Sequence, residues 1–403
     1  MRTVLVTGPG GAGRTTVAAA TALATAHRGG RVLLLSADPL DDLLGLDRGA
    51  VGTDPVQVDG GGLWAARVDP GEHFRTETLA LQERLAAGLD LLGARPLAGE
   101  ELTPLPGSEQ SALLQALRRA AAGHWDTLVV DLPPLRDALA LLALPEQLRR
   151  YLRRLLPQER QAARALRPMM AQLAGIPMPA QWLYETTARW DTELAAVQRL
   201  IEDPATTVRL VAEPGPAAAR ALRTARTALA LYGLRADTPV PNRLLPHDTA
   251  GPWLATLVAQ QHKYLAEWPA DRQPVGHLGR DPQGLDDLAL LDGTGTAFGE
   301  PGTDGGAGSL AVPPPPAATP WPVEDRLAEE NLLVWCVPLP GAVKSELNLV
   351  RRDDELLLTV GTFRRIVPLP SALRRCTVTG AALTDGVLRV RFTPDPALWP
   401  RGH

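Results

Sequence analysis

The chain has 403 residues, of which 45% are hydrophobic and 21% are charged, and its net charge is −4. That length favours two domains over one, and the weak net charge gives no general attraction to nucleic acid or to anionic membranes. Two cysteines are too few for a disulfide framework, and no apolar run approaches the roughly 20 residues that span a bilayer. We therefore expect a cytoplasmic protein without a signal peptide or transmembrane segment and without a nucleic-acid partner.

Apolar segments typical of buried parallel strands recur along the first 212 residues, and helical patterns separate them. The predicted strands are Thr3 to Thr7, Arg31 to Ser36, Leu63 to Val68, Thr127 to Asp131 and Val208 to Ala212. Two of the helices are predicted from Val17 to His27 and from Ser111 to Ala122. This alternation predicts an α/β fold in which helices cover both faces of a parallel sheet.

A helical and basic segment runs from about Leu144 to Arg167. Leucines and Tyr151 fall on one face of this helix, and the other face carries Arg149, Arg150, Arg153 and Arg154. We expect the arginine face to be solvated, with contact to anionic lipid or to a partner as the alternative. A further helix is predicted from Trp182 to Leu200, which makes residues of about 144–205 a helical insert.

Composition changes sharply at residue 293, where a segment rich in glycine and proline and almost free of charge begins. This composition is typical of a linker, which we place at residues 293–325. From 326 to 403 apolar and polar residues alternate, and Asp385-Gly386 is a strong hairpin signal. The sequence therefore predicts an α/β domain at residues 1–292 and a small all-β sandwich at residues 326–403.

The segment TGPGGAGRTT, residues 7–16, has the spacing of a phosphate-binding loop between a strand and a helix. Glycines let backbone N–H groups approach phosphate oxygens that a Cβ would obstruct. Thr15 stands in the position of a Mg²⁺ ligand, and Arg14 replaces the usual lysine. The predicted phosphate-binding residues are Gly8, Gly10, Gly11, Ala12, Gly13, Arg14, Thr15 and Thr16. A dinucleotide-binding turn, or a glycine turn without a ligand, is compatible with the same loop.

Two aspartates follow predicted strands. Asp131 ends the strand in HWDTLVVDLPP, the arrangement that holds Mg²⁺ through water in P-loop proteins, and Asp38 follows the strand in LLLSADP. Because ligands of open α/β sheets collect beyond the carboxyl ends of the strands, we expect both acids to face the loop. Arg14, Asp38 and Asp131 are the predicted catalytic residues, and Thr15 and Asp131 are the predicted Mg²⁺ ligands.

Residues 1 to about 290 resemble the arsenite-pump and tail-anchored-protein-targeting ATPases, P-loop proteins with a deviant Walker A motif. The resemblance rests on seven motifs in this order: TGPGGAGRTT, LLLSADP, LWAARVDP, DTLVVDLPP, LALPEQLRRYLRRLLP, WDTELAAVQRLIEDPATT and PVPNRLLP. It implies ATP and Mg²⁺ as cofactors, and it implies that Asn242 in the last motif reads the adenine base. It also implies a homodimer, or a heterodimer with a homologous ATPase, with nucleotides at the shared interface.

The sequence departs from this family's pattern at four places that serve catalysis. Pro9 stands where a lysine reaches the partner's nucleotide, Arg14 replaces the P-loop lysine, Gly45 replaces a water-orienting aspartate, and LPPLR at 132–136 replaces a Thr-Ala-Pro-Thr-Gly switch. Loss of one transition-state contact costs about 10²–10³ in rate. We therefore expect ATP binding with weak or partner-dependent hydrolysis. By analogy with the family, we also expect a role in handling client proteins or membrane-associated partners. The alternative is a pseudo-ATPase, a nucleotide-binding scaffold that serves as a heterodimer partner.

An arsenite-efflux subunit is a third alternative, against which the cysteine positions argue. The resemblance implies metalloid binding by cysteine thiolates in the ATPase domain, and residues 1–330 contain no cysteine. In targeting members the helical insert forms a groove for client helices. Met169, Met170 and Met178 lie in this insert, and we expect them in the core of a helical subdomain rather than in a groove.

The last part of the chain, from about Leu332 to Phe392, resembles an α-crystallin (small heat-shock) domain. The resemblance rests on LPG at 339–341, RRIVPLP at 364–370 and DGVLRVRF at 385–392. Such a β-sandwich presents edges to which extended partner segments add. Two roles stay open for it, namely handling of a protein client and stabilisation of a dimer.

Overall fold

The computed structural model of the protein describes residues 1–84, 86, 95–155, 181–246, 251–292, 309–313 and 321–399, and only the backbone of 181–185. The centre of the helical insert, with its three methionines, and most of the predicted linker lie outside the described residues. The domain boundaries that we place in the linker therefore stay predictions.

Seven strands form the sheet of the first domain. Their bounds are β1 Arg2–Thr7, β2 Val32–Ser36, β3 Val56–Gln57, β4 Leu63–Arg67, β5 Thr127–Asp131, β6 Thr206–Ala212 and β7 Val240–Pro241. The order across the sheet is β3-β4-β2-β5-β1-β6-β7, and all neighbours pair in parallel except β3 with β4. All five predicted strands are present.

Ten α-helices connect the strands or lie in the second domain, within the part of the chain that the structure describes. Their bounds are α1 Arg14–His27, α2 Asp41–Leu44, α3 Pro70–Arg84, α4 Ser108–Ala122, α5 Leu135–Leu155, α6 Gln181–Glu202, α7 Pro216–Tyr232, α8 Pro252–Leu265, α9 Gly284–Leu291 and α10 Leu327–Glu330. One-turn 3-10 helices lie at Gly99–Glu101, Lys344–Glu346 and Leu373–Arg375.

Alternate residues of the central strands face two separate apolar cores. In β2, Leu34 packs with α1 and α9 on one face of the sheet, while Leu33 and Leu35 pack with α4, α5 and α7 on the other. Side chains of a strand point to opposite faces in turn, so a sheet with both faces buried needs apolar residues at every position. This arrangement confirms the predicted α/β class with helices on both faces.

The second domain consists of two antiparallel sheets. Its strands are β8 Val323–Arg326, β9 Leu332–Pro338, β10 Leu347–Arg352, β11 Glu355–Val360, β12 Phe363–Pro368, β13 Cys376–Thr384 and β14 Val387–Pro394. One sheet has the order β10-β11-β12 and the other β13-β14-β9-β8. Asp385 and Gly386 both have positive φ, at 52° and 69°, as the predicted two-residue hairpin between β13 and β14 requires. The small all-β part of the predicted fold is thereby confirmed.

The second domain packs on α5 and α7 of the first domain. Leu231 of α7 belongs to the core of the second domain. Arg150 of α5 pairs with Glu355 at 2.6 Å, and Arg365 of β12 pairs with Glu146 at 3.2 Å. The expectation that the arginine face of α5 is solvated is wrong for Arg150, and also for Arg149, because that guanidinium is held by Asp191 and Gln198 of α6.

Residues 309–313, within the predicted linker, pack against the first domain. Leu310 and Ala311 are buried, and the Leu310 carbonyl accepts a 2.7 Å hydrogen bond from Arg209. Arg209 is a buried residue of β6 that also pairs with Asp237 at 3.0 Å. A buried charge needs such partners to offset its desolvation, so this short segment takes part in satisfying the guanidinium.

Candidate functional site

The phosphate loop, residues 8–13, follows β1 and lies beside the ends of β2 and β5. In the parallel pairing of β1 with β5, Val6 is opposite Asp131, so that Asp131 reaches the edge of the sheet where the loop begins. Ser36 ends β2 on the other side of β5. The carboxyl ends of three adjacent parallel strands therefore converge on the loop.

The glycines of the loop differ in what requires them. A Cβ at Gly8 would overlap the carbonyl oxygen of Val211 in β6, and a Cβ at Gly13 would collide with the amide nitrogen of Asn242. Gly11 and Gly13 have φ of +77° and +80°, which L side chains rarely adopt. No atom of the described residues lies within 4 Å of a Cβ built at Gly10 or Gly11. The loop is thus packed against the fold at its two ends and open in its middle.

Helix α1 directs an uncapped N-terminus at this loop. Its first intrahelical bond is the one from the Val17 amide to the Gly13 carbonyl at 3.0 Å, so the preceding amides have no carbonyl partner within the helix. Gly13 has no side chain that would cap them, and the first turn contains no acidic residue. Free amides and the positive end of the helix dipole together favour an anion at this position.

Asp131 is the centre of a cluster of hydroxyl and carboxylate groups. Its Oδ2 accepts hydrogen bonds from Thr15 at 2.8 Å and from Ser36 at 2.9 Å, and Oδ2 of Asp38 lies 3.2 Å from the Thr15 hydroxyl. Oδ1 of Asp131 is buried and has no hydrogen-bond partner among the described residues. One carboxylate oxygen of Asp131 is therefore held by two hydroxyl groups, while the other has no partner among the described residues.

Burial raises the pKa of Asp131 above its ordinary value near 3.8. The hydrogen bonds from Thr15 and Ser36 and the charge of Arg14 act in the opposite direction, while the charge of Asp38 raises the pKa further. The carboxylates of Asp38 and Asp131 both contact the Thr15 hydroxyl, and Asp131 keeps one unpartnered oxygen, a donor set that fits a hard cation. The described residues contain no group of three or more His, Cys, Asp or Glu side chains that would hold a metal by themselves.

Arg14 and the segment after β5 are joined. The guanidinium of Arg14 donates to the carbonyl of Leu132, and the Thr7 hydroxyl donates to the carbonyl of Pro133 at 2.8 Å. On either side, the Leu132 amide donates to Val6 and the Leu135 amide to Gly8. The segment that stands in the place of the family's switch is thus bonded along its length to β1 and the phosphate loop.

Asn242 and Arg243 hold the phosphate loop from the side of β7. The Asn242 amide donates to the Ala12 carbonyl at 2.8 Å, and Arg243 donates to the Gly11 carbonyl at 2.9 Å. Asn242 is buried, whereas Arg243 is exposed and has a φ of 56°. The predicted adenine contact of Asn242 stays a prediction, because in this structure its side chain contacts the loop.

The structure brings together the predicted Arg14, Thr15, Asp38 and Asp131, and it shows partners that sequence reasoning missed. Ser36 was missed, although it lies two residues before Asp38 in LLLSADP at the end of a predicted strand. Arg243 was missed because nothing in the sequence indicates that the residue after Asn242 turns back to the loop.

The position of the missing water-orienting aspartate has a structural role of its own. Gly45 follows α2 with a φ of +69°, a conformation that favours glycine at the end of a helix. Asp41, close to it in sequence, accepts a hydrogen bond from the Val51 amide at 3.0 Å, which lowers the pKa of Asp41. The Asp41 carboxylate is therefore engaged with the backbone of the segment that follows α2.

A parallel sheet whose first strand passes through a glycine loop into a helix, with an acid at the end of the neighbouring strand, defines a P-loop nucleoside-triphosphatase domain. The chain belongs to the anion-transporting ATPase family, whose model matches residues 1–271. Residues 330–392 match the HSP20-like domain found in ArsA. The predicted resemblance to these ATPases with an added small heat-shock domain is thereby confirmed.

Several relatives align with the chain over nearly its whole length. The chain is 58% identical to the uncharacterized protein SCO2128 of Streptomyces coelicolor, with 100% of both chains covered. It is 32% identical to protein Rv2184c of Mycobacterium tuberculosis, with 99% of this chain and 97% of the relative covered. A putative arsenical pump-driving ATPase 1 of Aquifex aeolicus is 23% identical over 93% of this chain and 95% of its own.

Among the helices that the structure describes, none is long and apolar enough to cross a bilayer.

Proposed function

We propose that the protein binds Mg²⁺–ATP at the phosphate loop and hydrolyses it slowly or only with a partner chain. The observation that carries this proposal is the buried, unpartnered Oδ1 of Asp131 next to the uncapped N-terminus of α1. Thr15 and Asp131 would hold Mg²⁺, which would neutralise phosphate charge. Arg14 and the loop amides would bind the phosphates, and Asp38 would polarise the Thr15 hydroxyl from 3.2 Å.

Slow turnover follows from the segment after β5. Hydrolysis in P-loop proteins needs a group that orients the attacking water and a segment that responds to the terminal phosphate. Here two prolines occupy that segment, and its carbonyls already accept hydrogen bonds from Arg14 and Thr7. One nitrogen of the Arg14 guanidinium already donates to the Leu132 carbonyl, so a phosphate would share this side chain with the segment after β5.

A cytoplasmic dimer is part of the proposal, by analogy with the family, with Pro9 unable to supply the cation that crosses to the partner's nucleotide. The two cysteines, which are free and buried, fit a reducing compartment. The alternative is a scaffold that binds nucleotide without turnover and serves as a heterodimer partner. Arsenite efflux is disfavoured, because both thiols lie in the second domain and far along the chain from the loop.

Phosphate release from Mg²⁺–ATP tests the proposal, with Asp131→Ala as the blank and Asp47→Ala, an exposed carboxylate elsewhere in the domain, as the matched control. We expect slow release by the wild type and by Asp47→Ala and none by Asp131→Ala. Release equal to the blank, together with Mg²⁺-dependent binding of a fluorescent ATP analogue, would establish the scaffold alternative. Failure to bind the analogue would contradict both the ATPase and the scaffold. Light scattering with and without Mg²⁺–ATP reports the dimer.

Client binding is a second candidate function, favoured by one cavity. A space of about 820 Å³ lies between α3, α4, α5 and α6, and its apolar lining includes Leu148, Leu152 and Leu194, with Tyr151 and Trp190 half-exposed at it. An amphipathic helix of a client protein would bury its apolar side there. A photo-crosslinking residue at Trp190 should capture a model apolar helix, whereas one at Trp253, an exposed tryptophan outside the cavity, should not. Equal capture at both positions would overturn this function.

A further inference from the structure

A cleft between the two domains is lined largely by arginines. It has a volume of about 370 Å³ and lies between the end of α5 and the three-stranded sheet. Its charged lining consists of Glu146, Arg150, Arg154, Arg352, Arg364 and Arg365. Five cations and a single carboxylate among the lining residues make this cleft strongly electropositive. None of its lining residues belongs to the phosphate loop.

Among the residues that the structure describes, two of these arginines are paired with a carboxylate. Arg150 forms a two-pronged pair with Glu355, with contacts of 3.1 and 2.6 Å, and Arg365 pairs with Glu146 and also donates to the Leu231 carbonyl at 3.0 Å. Arg154, Arg352 and Arg364 are exposed and form no ion pair with any carboxylate in the part of the chain that the structure describes. Their charge is available to a ligand.

The two paired arginines give the cleft a rigid frame. Their ion pairs join α5 to β11 and β12, and the ring of Tyr232 meets that of Phe363 edge-on, with ring centres 6.3 Å apart. Tyr151, Tyr232, Leu357 and Ile366 supply apolar surface between the charged groups. The three guanidinium groups that have no carboxylate partner repel one another, and a ligand that brings negative charge to the cleft offsets that repulsion.

We propose that this arginine cleft binds a small anion carrying at least two phosphate groups. The planar guanidinium binds phosphate oxygens through paired N–H donors, which is why arginine rather than lysine serves sites of this kind. Three available arginines exceed what one phosphate needs, so a diphosphate or a longer chain matches them better. The volume of the cleft is in the range of small-molecule binding sites, so we propose a small ligand rather than a folded macromolecule. The cleft is independent of the ATP site proposed above.

Pyrophosphate titrated calorimetrically into the full-length protein without Mg²⁺ is the direct test. The phosphate loop also attracts pyrophosphate, so every protein carries Gly10→Asp, which places a carboxylate in the open middle of the loop. In this background we expect one molecule of pyrophosphate to bind, with an affinity that falls as salt is added. Arg154→Ser with Arg364→Ser should raise the Kd at least tenfold.

The matched control is Arg48→Ser with Arg391→Ser, which removes the same charge from exposed positions outside the cleft and should change the Kd less than twofold. Arg154→Lys with Arg364→Lys keeps the charge and should weaken binding by an intermediate factor. This lysine pair still tests the proposal if the serine pair fails to fold. No binding in the Gly10→Asp background, or equal effects of the two serine pairs, would overturn the proposal. Flotation with phosphatidylglycerol vesicles that depends on Arg154 and Arg364, without pyrophosphate binding, would assign the cleft to lipid headgroups and also overturn it.

Discussion

The side-chain amide of Asn242 donates a 2.8 Å hydrogen bond to the carbonyl of Ala12, a residue 230 positions earlier in the chain. The bond is buried, and Gly13 packs directly on the same amide nitrogen. The shape of the phosphate loop therefore depends on a residue that follows β7, on the far side of β6. Arg243 adds a second bond from the same segment to Gly11.

We expect Asn242→Ala to lower the free energy of unfolding by about 1–2 kcal/mol, because the Ala12 carbonyl loses its partner in a buried place. Affinity for the fluorescent ATP analogue should fall as well, since the loop is no longer held in its open shape. Denaturant titration and analogue binding measure the two effects. Asn348→Ala, at an exposed position of β10, is the control and should change neither. Unchanged stability and affinity in Asn242→Ala would contradict the role of this bond.

Two loop glycines that look alike in sequence should respond differently to alanine. At Gly8 the added Cβ overlaps the Val211 carbonyl, and backbone atoms of a central strand have no room to move. We expect Gly8→Ala to cost about 3 kcal/mol of stability, the upper end of the usual range for overpacking. Gly10→Ala places its Cβ in open space and should cost less than about 0.5 kcal/mol. The urea concentrations at the midpoint of unfolding compare the two variants. Equal midpoints for Gly8→Ala and Gly10→Ala would mean that Gly8 does not pack on β6.

Asp131→Asn should make the stability less dependent on pH. Because the pKa of Asp131 is raised by folding, the native state binds more protons than the unfolded state from about pH 4 upward, until the raised pKa is passed. Wild-type stability therefore falls as pH rises through that window, by up to about 1.4 kcal/mol per pH unit. The neutral amide of Asp131→Asn does not lose stability in this way. Its melting temperature without Mg²⁺ should therefore rise relative to that of the wild type as pH increases. Mg²⁺ should no longer affect binding of the ATP analogue to this variant. A constant difference between the two melting temperatures across the window would contradict this, and Asp47→Asn is the control.

The pair of Arg150 and Glu355 should couple the two domains. The side chains are 19% and 33% exposed, so solvent screens the pair in part. A double-mutant cycle of Arg150→Ala and Glu355→Ala should give a coupling energy of about 1 kcal/mol. The pKa of Glu355 is lowered, chiefly by the hydrogen bond from Arg150. The coupling is therefore present at neutral pH and lost as pH falls below the ordinary value of 4.5. A coupling energy of zero at pH 7 would show that other contacts hold the domains together.

Arg14→Ala should weaken binding of the ATP analogue about tenfold, since one charge-assisted contact to phosphate is worth roughly 1.5 kcal/mol. Arg14→Lys should retain most of the affinity, because the ammonium also binds phosphate. Arg28→Ala removes an exposed arginine at the other end of α1 and serves as the control. If Arg14→Ala and Arg28→Ala bind equally well, Arg14 stays with the Leu132 carbonyl and the loop amides alone hold the phosphates.

The sequence by itself determined the α/β class, the strands that carry Asp131 and Ser36, the glycine loop and the small all-β domain. Those features depend on local patterns, because strand composition, glycine spacing and a two-residue turn are all read within a few neighbouring residues. What the sequence left undetermined is set by contacts between distant segments. Only the tertiary structure decided that Asn242 and Arg243 hold the loop, that Arg14 bonds to the segment after β5, and that Arg150 and Arg365 fasten the second domain. Side chains such as these find their partners only after the strands have been placed in the order of the sheet, and no local pattern specifies that order.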